Sequence, residues 1–388
     1  MTGVTTSLTF AAGHGGGADW RAAVDETLAR LGPVPAGANL GVVYISDSLI
    51  GEMPVVVEAL RQETGIAHWV GCVGMGVLGV SVATSGPTAY TGIADEYFGV
   101  PALSVLTMRL PPEAFRLIPA QRTEETDLGA EGDDWLAVSQ PAIGLVHADP
   151  RHQHLSELLG DLAERAGFLV GGLSSAQGPM PVIADDIEEG VASGVLFAPG
   201  CGISTSLTQG CTPIGPTRSV TRVPQNLLVE LDGESALAAL YADIGSDKIE
   251  DLRATADSLH AALPVPGSDR SDYMVRNLTG IDLAQGMVGI AATPDPGDKV
   301  MFCRRDADAA RKDLQQMAND LAKRLDNPPK GGIYVSCLAR GPNLFDRNEE
   351  LSIIRQCLGD FPIAGFYANG EIAGNRIYGY TGVLTVFA

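Results

Sequence analysis

The chain has 388 residues, enough for two or more domains with cores of their own. Its composition, 45% hydrophobic and 19% charged, excludes a globally disordered chain. A formal net charge of −21 disfavours nucleic acid and anionic membrane surfaces, whose binding needs clustered Lys and Arg, and it favours solubility.

Met1 to Ala12 carries neither a basic n-region nor a cleavage pattern, so no signal peptide is expected. Asp19 to Leu31 places Trp20, Val24, Leu28 and Leu31 at helical spacing. Asn39 to Ile45 reads as a β-branched strand, and Met53 to Gly65 as a helix ending at a C-cap glycine. Trp69 to Thr84 alternates short apolar runs with glycine and predicts strand, turn, strand. Glu124 to Asp134 (EETDLGAEGDD) is expected to be an exposed acidic loop. Ala142 to Asp149 is a strand, Leu155, Leu158, Leu159 and Leu162 mark one helix face, and Phe168 to Ser175 is a glycine-rich strand. Strands follow at Gly194 to Phe197 and Ile203 to Leu207.

Texture shifts at Val223 to Gly233, which sets the expected division into 1–222 and 223–388. Beyond it come a helix at Ser235 to Ile244, a proline-rich stretch at Leu263 to Gly267, and strands at Tyr273 to Leu278 and Met287 to Ala292. Asp308 to Leu325 is the strongest helix, and Tyr380 to Phe387 a terminal strand. Two uncharged runs, Ile66 to Ala94 and Gly190 to Thr217, are long enough for membrane spans. Their Gly, Ser, Thr and Pro content predicts buried strands instead, so no membrane insertion is expected. The expected fold is α/β: two related halves with mixed β-sheets flanked by helices, built on repeated strand-helix-strand units.

That unit occurs near both ends and, more weakly, in the middle. Tyr44-Ile45-Ser46-Asp47 lines up with Tyr334-Val335-Ser336-Cys337 and with Val146-His147-Ala148-Asp149. The glycine-rich exits line up as Gly71-Cys72, Gly171-Gly172 and Gly365-Phe366. Ligands of open α/β sheets collect at the C-terminal ends of strands. There the last copy has Asn369-Gly370-Glu371, where the first has Met75-Gly76-Val77. Arg340, just past a strand end and followed by Gly341, can clasp a carboxylate in bidentate fashion, while Glu371 takes an amine. The other reading is that Arg340 and Glu371 pair with each other. The candidate ligand-binding set is Asp47, Cys337, Arg340, Gly341, Gly365, Asn369, Gly370 and Glu371.

Six cysteines are scattered, with no CxxC and no zinc-like pairing with histidine, which suits a reduced compartment. Cys337 beside an arginine is a possible nucleophile, and Cys72 lies in an apolar run. His152 and His154 read as surface-loop residues rather than metal ligands. His14, in GHGGG, reads as part of a flexible loop or an anion-binding nest, and is not in a P-loop.

These residues together resemble the FIST family, a two-part bacterial sensory domain. The likeness is carried by Val70-Gly71-Cys72, Val170 to Leu173, Gly210 to Leu231 and Val275 to Asp282. The most distinctive pieces are Cys337-Leu338-Ala339-Arg340-Gly341 and Gly365 to Ile372. The chain departs from the family's first-half pattern at Val77, where an acid is usual. The resemblance implies a sensor of a small ligand, an amino acid or similar metabolite, that reports to a signalling partner. The scattered cysteines and the lack of a signal-peptide pattern predict a cytoplasmic protein, and with no kinase, cyclase or DNA-binding motif in the sequence the partner is expected to act in trans. Some members resembling the family bind haem and sense nitric oxide, so a haem-based sensor is one alternative. An enzyme using Cys337 or Glu371 is the other; the resemblance implies no catalytic mechanism.

Overall fold

The computed structural model describes residues 8–83, 91–140, 142–246, 248–265 and 272–388. All three copies of the repeated unit are parallel strand pairs in it. The chain forms two compact units. The first comprises Met1–Thr208, Leu314–Ile377 and Thr381–Ala388, and the second Gln209–Asp313 and Tyr378–Tyr380.

In the first unit one order of elements recurs: strand, helix, strand, helix, then four strands. Repeat one runs β1 (Thr9–Gly16), α1 (Trp20–Leu31), β2 (Leu40–Ser46), α2 (Met53–Thr64), β3 (His68–Gly74), β4 (Gly76–Ala83), β5 (Thr91–Phe98) and β6 (Ala102–Arg109). Repeat two runs β7 (Phe115–Gln121), α3 (Gly129–Ser139), β8 (Ala142–Ala148), α4 (Leu155–Ala166), β9 (Gly167–Leu173), β10 (Val182–Ala184), β11 (Asp186–Glu188) and β12 (Ala192–Phe197).

Repeat three opens with β13 (Ile203–Gln209) and is then interrupted by the second unit. That unit holds β14 (Cys211–Pro213), β15 (Arg218–Arg222), β16 (Leu227–Leu228), β17 (Glu230–Leu231), β18 (Glu234–Ser235), α5 (Ala236–Ile244), α6 (Ile249–Thr255), β19 (Leu259–Pro264), β20 (Tyr273–Asp282), β21 (Met287–Ile290) and β22 (Lys299–Arg305). These strands form one sheet around a core that includes Val220, Leu240, Ala261 and Phe302. Repeat three resumes with α7 (Ala307–Arg324), β23 (Gly331–Cys337), a short α8 (Gly341–Leu344), α9 (Glu349–Leu358), β24 (Ile363–Ala368), β25 (Glu371–Ala373), β26 (Arg376–Tyr378) and β27 (Thr381–Phe387).

The repeats exchange hairpins. The first sheet is ordered β1-β6-β2-β3-β10-β11, the second β7-β12-β8-β9-β25-β26, and the third β13-β27-β23-β24-β4-β5. Each repeat therefore supplies its own parallel pair and sends its next hairpin to a neighbour's sheet. The inner faces of all three sheets share one core, which includes Tyr44, Cys72 and Val182, Leu145 and Val170, and Val335, Phe366 and Val383. Helices α1 and α2 cover the outer face of the first sheet through Val24, Val56 and Leu60; α3 and α4 cover the second through Trp135, Leu158 and Leu162. Strands β3 and β12 are buried on both faces and carry no charge, which is why the runs that contain them resembled membrane spans. Among the described residues no helix is long and apolar enough to cross a membrane.

A glycine in each repeat lets the parallel pair close. A Cβ at Gly71, Gly171 or Gly365 would lie 1.8, 2.0 or 2.0 Å from the carbonyl oxygen of Val43, Val146 or Tyr334 respectively. The pairing corrects one alignment. Gly71 stands opposite Val43, so Val43, not Tyr44, is the partner in repeat one of Val146 and Tyr334. Tyr44 thus corresponds to His147 and Val335 and points into the shared core, because a one-residue slip exchanges the two faces of a strand.

The acidic stretch is also not all loop. Its second half, from Gly129, is the first turn and more of α3, whose Trp135 and Leu136 anchor it to the core. The expectations for Met1 to Ala12, Ile66 to Ala94 and Leu263 to Gly267 extend onto residues outside those described.

The glycines predict opposite outcomes at two sites. Gly171, at φ +132° under the Val146 carbonyl, cannot hold a side chain, and Gly171→Ala should cost about 3 kcal/mol or more. Gly160 lies in mid-α4, where an added methyl would meet nothing within 4 Å, and Gly160→Ala should stabilise by up to ~1 kcal/mol. Urea denaturation of the two variants beside wild type measures both.

Candidate functional site

The three glycine-rich exits meet. Ser175 donates from its backbone N–H to Val73 O (3.2 Å) and from its hydroxyl to Tyr367 O (2.5 Å), and its hydroxyl accepts from Met75 N (2.9 Å). Asn369 N donates to Leu173 O at 3.0 Å, and Leu173 N to Gly370 O at 2.8 Å. The C-terminal ends of β3, β9 and β24 are thus bonded to one another.

The symmetry is one of backbone only. Val77, Val182 and Glu371 hold corresponding places, opposite Phe366, Cys72 and Gly172. Two repeats put valine into the core there, and the third puts a fully buried carboxyl. Glu371 Oε2 accepts from Thr381 N at 3.1 Å and from Thr381 Oγ1 at 2.6 Å. Its Oε1 is buried and accepts no hydrogen bond among the described residues. Burial pushes its pKa from the ordinary 4.5 up to about 8, against the opposing pull of Thr381, the Cys337 thiol and Arg340. Cys337, the last residue of β23, is buried and adjoins both Glu371 and Arg340.

Arg340 is fully buried, and its partner is Glu350 rather than Glu371. Nε donates to Glu350 Oε1 at 2.9 Å. Nη2 lies 2.9 Å from the same oxygen without a hydrogen-bonding alignment, and neither Nη1 nor Nη2 has an acceptor among the described residues. The guanidinium carbon sits 4.9 Å from the Phe345 ring centroid, a cation–π contact. Glu350 also accepts from Tyr334 Oη at 2.7 Å and Ser336 Oγ at 2.9 Å. Beside them Tyr367 donates to Glu96, whose other oxygen accepts from Asn348 N at 3.1 Å; burial raises the Glu96 pKa.

Glu350, Glu96, Tyr367 and Thr381 are among the residues of the site that were not expected from sequence. A signal existed for Glu350: with Leu351 and Ile354 it lies on the buried face of α9, ten residues from Arg340.

The other expected residues are placed as follows. Gly341 has φ +34°, and a Cβ there would meet the Tyr367 ring at 2.6 Å. Gly365 lies under Tyr334 O. Asn369 is exposed and Gly370 buried. Asp47 begins a turn at the end of β2, half-buried, and makes no hydrogen bond or ion pair with Arg340 or Glu371; burial raises its pKa.

His14 is no loop residue: it is a buried part of β1, with Nδ1 3.0 Å from Tyr97 Oη and Nε2 2.9 Å from Ile93 O. His152 is also buried, with Nε2 2.9 Å from Gln121 O. His147 lies in the shared core, 3.1 Å from Tyr44 Oη, and burial lowers its pKa to about 3. A haem iron needs a histidine nitrogen turned to an open apolar pocket. His14 and His152 are hydrogen-bonded within the protein and His147 is sealed in the core, so none of these three is turned to such a pocket.

Two family models match: the FIST N domain over residues 39–234 and the FIST C domain over residues 236–374. An uncharacterised protein of Mycobacterium tuberculosis is 34% identical over 200 residues, which are 49% of this chain and 52% of that one. An uncharacterised protein of Mycobacterium bovis is 31% identical over 210 residues, 51% of this chain and 54% of that one. The chain thus spans about half the length of the curated relatives it matches.

Glu371 gives the site a pH signature. Below pH 4.5 native and unfolded chains both hold its proton. From there to about pH 8 only the native chain does, so stability is lost as pH rises through that window. Wild type should lose on the order of a few kcal/mol from this group between pH 5 and pH 8. Glu371→Gln should remove that loss, so the variant gains on wild type at pH 8 relative to pH 5. Urea denaturation of both proteins at the two pH values reads the difference directly.

Proposed function

The chain belongs to the FIST family, and on that premise we propose that it is a cytoplasmic sensor of an amino acid or similar small metabolite. FIST domains are associated with sensory signal transduction and small-ligand binding. Occupancy would be reported to a signalling protein in trans, with 1–222 and 223–388 as the two sequence halves.

One observation carries the reading. Three polar atoms, Arg340 Nη1 and Nη2 and Glu371 Oε1, are buried without hydrogen-bond partners among the described residues, and Cys337 adjoins both side chains. Orphaned buried polar atoms are costly, and a ligand bearing a carboxylate and an amine satisfies all three. The carboxylate takes the free edge of the guanidinium, and the ammonium takes Glu371. The ammonium offsets the burial that keeps Glu371 protonated, so binding releases a proton.

A thermal-shift and calorimetric screen of the amino acids tests this. A true ligand at about a hundred times its Kd stabilises by ~2.7 kcal/mol. Its affinity should rise roughly tenfold per pH unit up to about pH 8 and then level. Arg340→Lys, which keeps the charge and loses the fork, should weaken binding by about tenfold or more. Glu371→Gln should abolish the pH dependence. A ligand bound equally by wild type and both variants would place the site elsewhere.

A further inference from the structure

A cleft lies at the other end of β3, where the strand begins. It has a volume of about 670 Å³, and His68, Phe115, Arg116, Leu117, Leu128 and Glu131 are among its walls. His68 is held from behind. Its Nδ1 lies 2.8 Å from Asp185 Oδ2, in the turn between β10 and β11. Asp185 is itself fixed: Trp69 N donates to Oδ1 at 2.9 Å, and Arg61 lies 3.8 Å from the same oxygen.

Two other polar side chains of the cleft are engaged. The Asn39 amide is paired with both backbone atoms of Leu110, at 3.0 and 3.1 Å, and Arg116 Nη1 donates to Pro112 O and Phe115 O. His68 Nε2 has no hydrogen-bond partner among the described residues. In the neutral imidazole a carboxylate at Nδ1 puts the proton there, which leaves Nε2 with its lone pair as an acceptor. The walls beside it are flat and apolar. Phe115 meets the imidazole edge-on at 5.9 Å, and Leu117 and Leu128 adjoin it.

We propose that this cleft is a second ligand site, which takes a planar aromatic molecule whose O–H or ring N–H donates to His68 Nε2. Arg116 and Glu131 are charges of opposite sign, so the cleft selects by shape and by the donor rather than by net charge. The site is separate from Arg340 and Glu371 and does not depend on the reading given to them.

The test uses the full chain with phenol and indole as donor probes and anisole as the matched ring without a donor, in ligand-observed saturation-transfer NMR titrations. Phenol and indole should bind, and anisole should bind about tenfold more weakly, the loss of one hydrogen bond. His68→Ala should reduce phenol to the level of anisole. Asp185→Asn, which turns the imidazole proton toward Nε2, should do the same while leaving the ring in place. Far-UV circular dichroism and a thermal melt confirm that each variant is folded. Anisole binding as well as phenol overturns the proposal, as does phenol binding that survives both substitutions, or no binding of phenol and indole at millimolar concentration.

Discussion

A glycine beneath a neighbouring carbonyl, recurring in each repeat, is the constraint on which the first unit rests. At Gly71, Gly171 and Gly365 the backbone of the second strand comes so near the first that no Cβ fits. The close approach shapes the strand exits that follow it. Each chain leaves its own sheet there and delivers the next hairpin to a neighbour's sheet. Three sheets locked by exchanged hairpins share one apolar core, so none of them can come away alone. The same geometry gathers the three exits at one end of that core, where Ser175 bonds to the exits of both other repeats.

On this threefold backbone the chemistry is confined to one copy. Valine fills the place of Glu371 in the other two repeats, at Val77 and Val182. A buried ion pair such as Arg340–Glu350 is weak as a source of stability, because desolvation of both charges offsets their attraction. Valine at the place of Glu371 in both sister repeats shows that the scaffold closes without a buried carboxyl there. The buried ionisable groups also oppose one another in pH. Glu371, raised by burial, lowers stability as pH rises toward 8. His14 and His147, lowered by burial to about 4 and about 3, lower it as pH falls below 6.5. The opposing slopes meet near pH 6.5, where these groups together favour the native state most.

The repeated strand-helix-strand unit was legible because its strands are long, apolar and followed by an amphipathic helix at constant spacing. The misplacement of Tyr44 has a simple cause. Tyr44-Ile45-Ser46 and Tyr334-Val335-Ser336 match in letters, but the two tyrosines face opposite sides of their sheets, and only the strand partner of each glycine reveals it. The exchanged hairpins were illegible for a different reason. Strands of three residues, such as Val182–Ala184 and Glu371–Ala373, carry no periodicity, and the sheet they join is set by tertiary packing. Nor does spacing predict that His68 meets Asp185 across 117 residues, or that Arg340 prefers Glu350 to Glu371. The interruption of repeat three was hidden as well: the family boundary at 234–236 falls inside the residues of the second unit.

The hairpin exchange also decides what a ligand near Arg340 would span. Cys337 ends a strand of the third sheet, and Arg340 follows it by three residues. Glu371 belongs to β25, which repeat three delivers to the second sheet. A molecule held by both side chains would join two sheets at the point where their exits already meet. A sensor requires a ligand that contacts two arrangements of the protein unequally. A contact across two separately built sheets meets that requirement more directly than one within a single sheet, whose strands are fixed to one another by their ladder of hydrogen bonds. The His68 cleft lies at the far end of β3, about 20 Å away along a strand of seven residues. Its walls come from the first two repeats, so its occupant would leave the third repeat untouched.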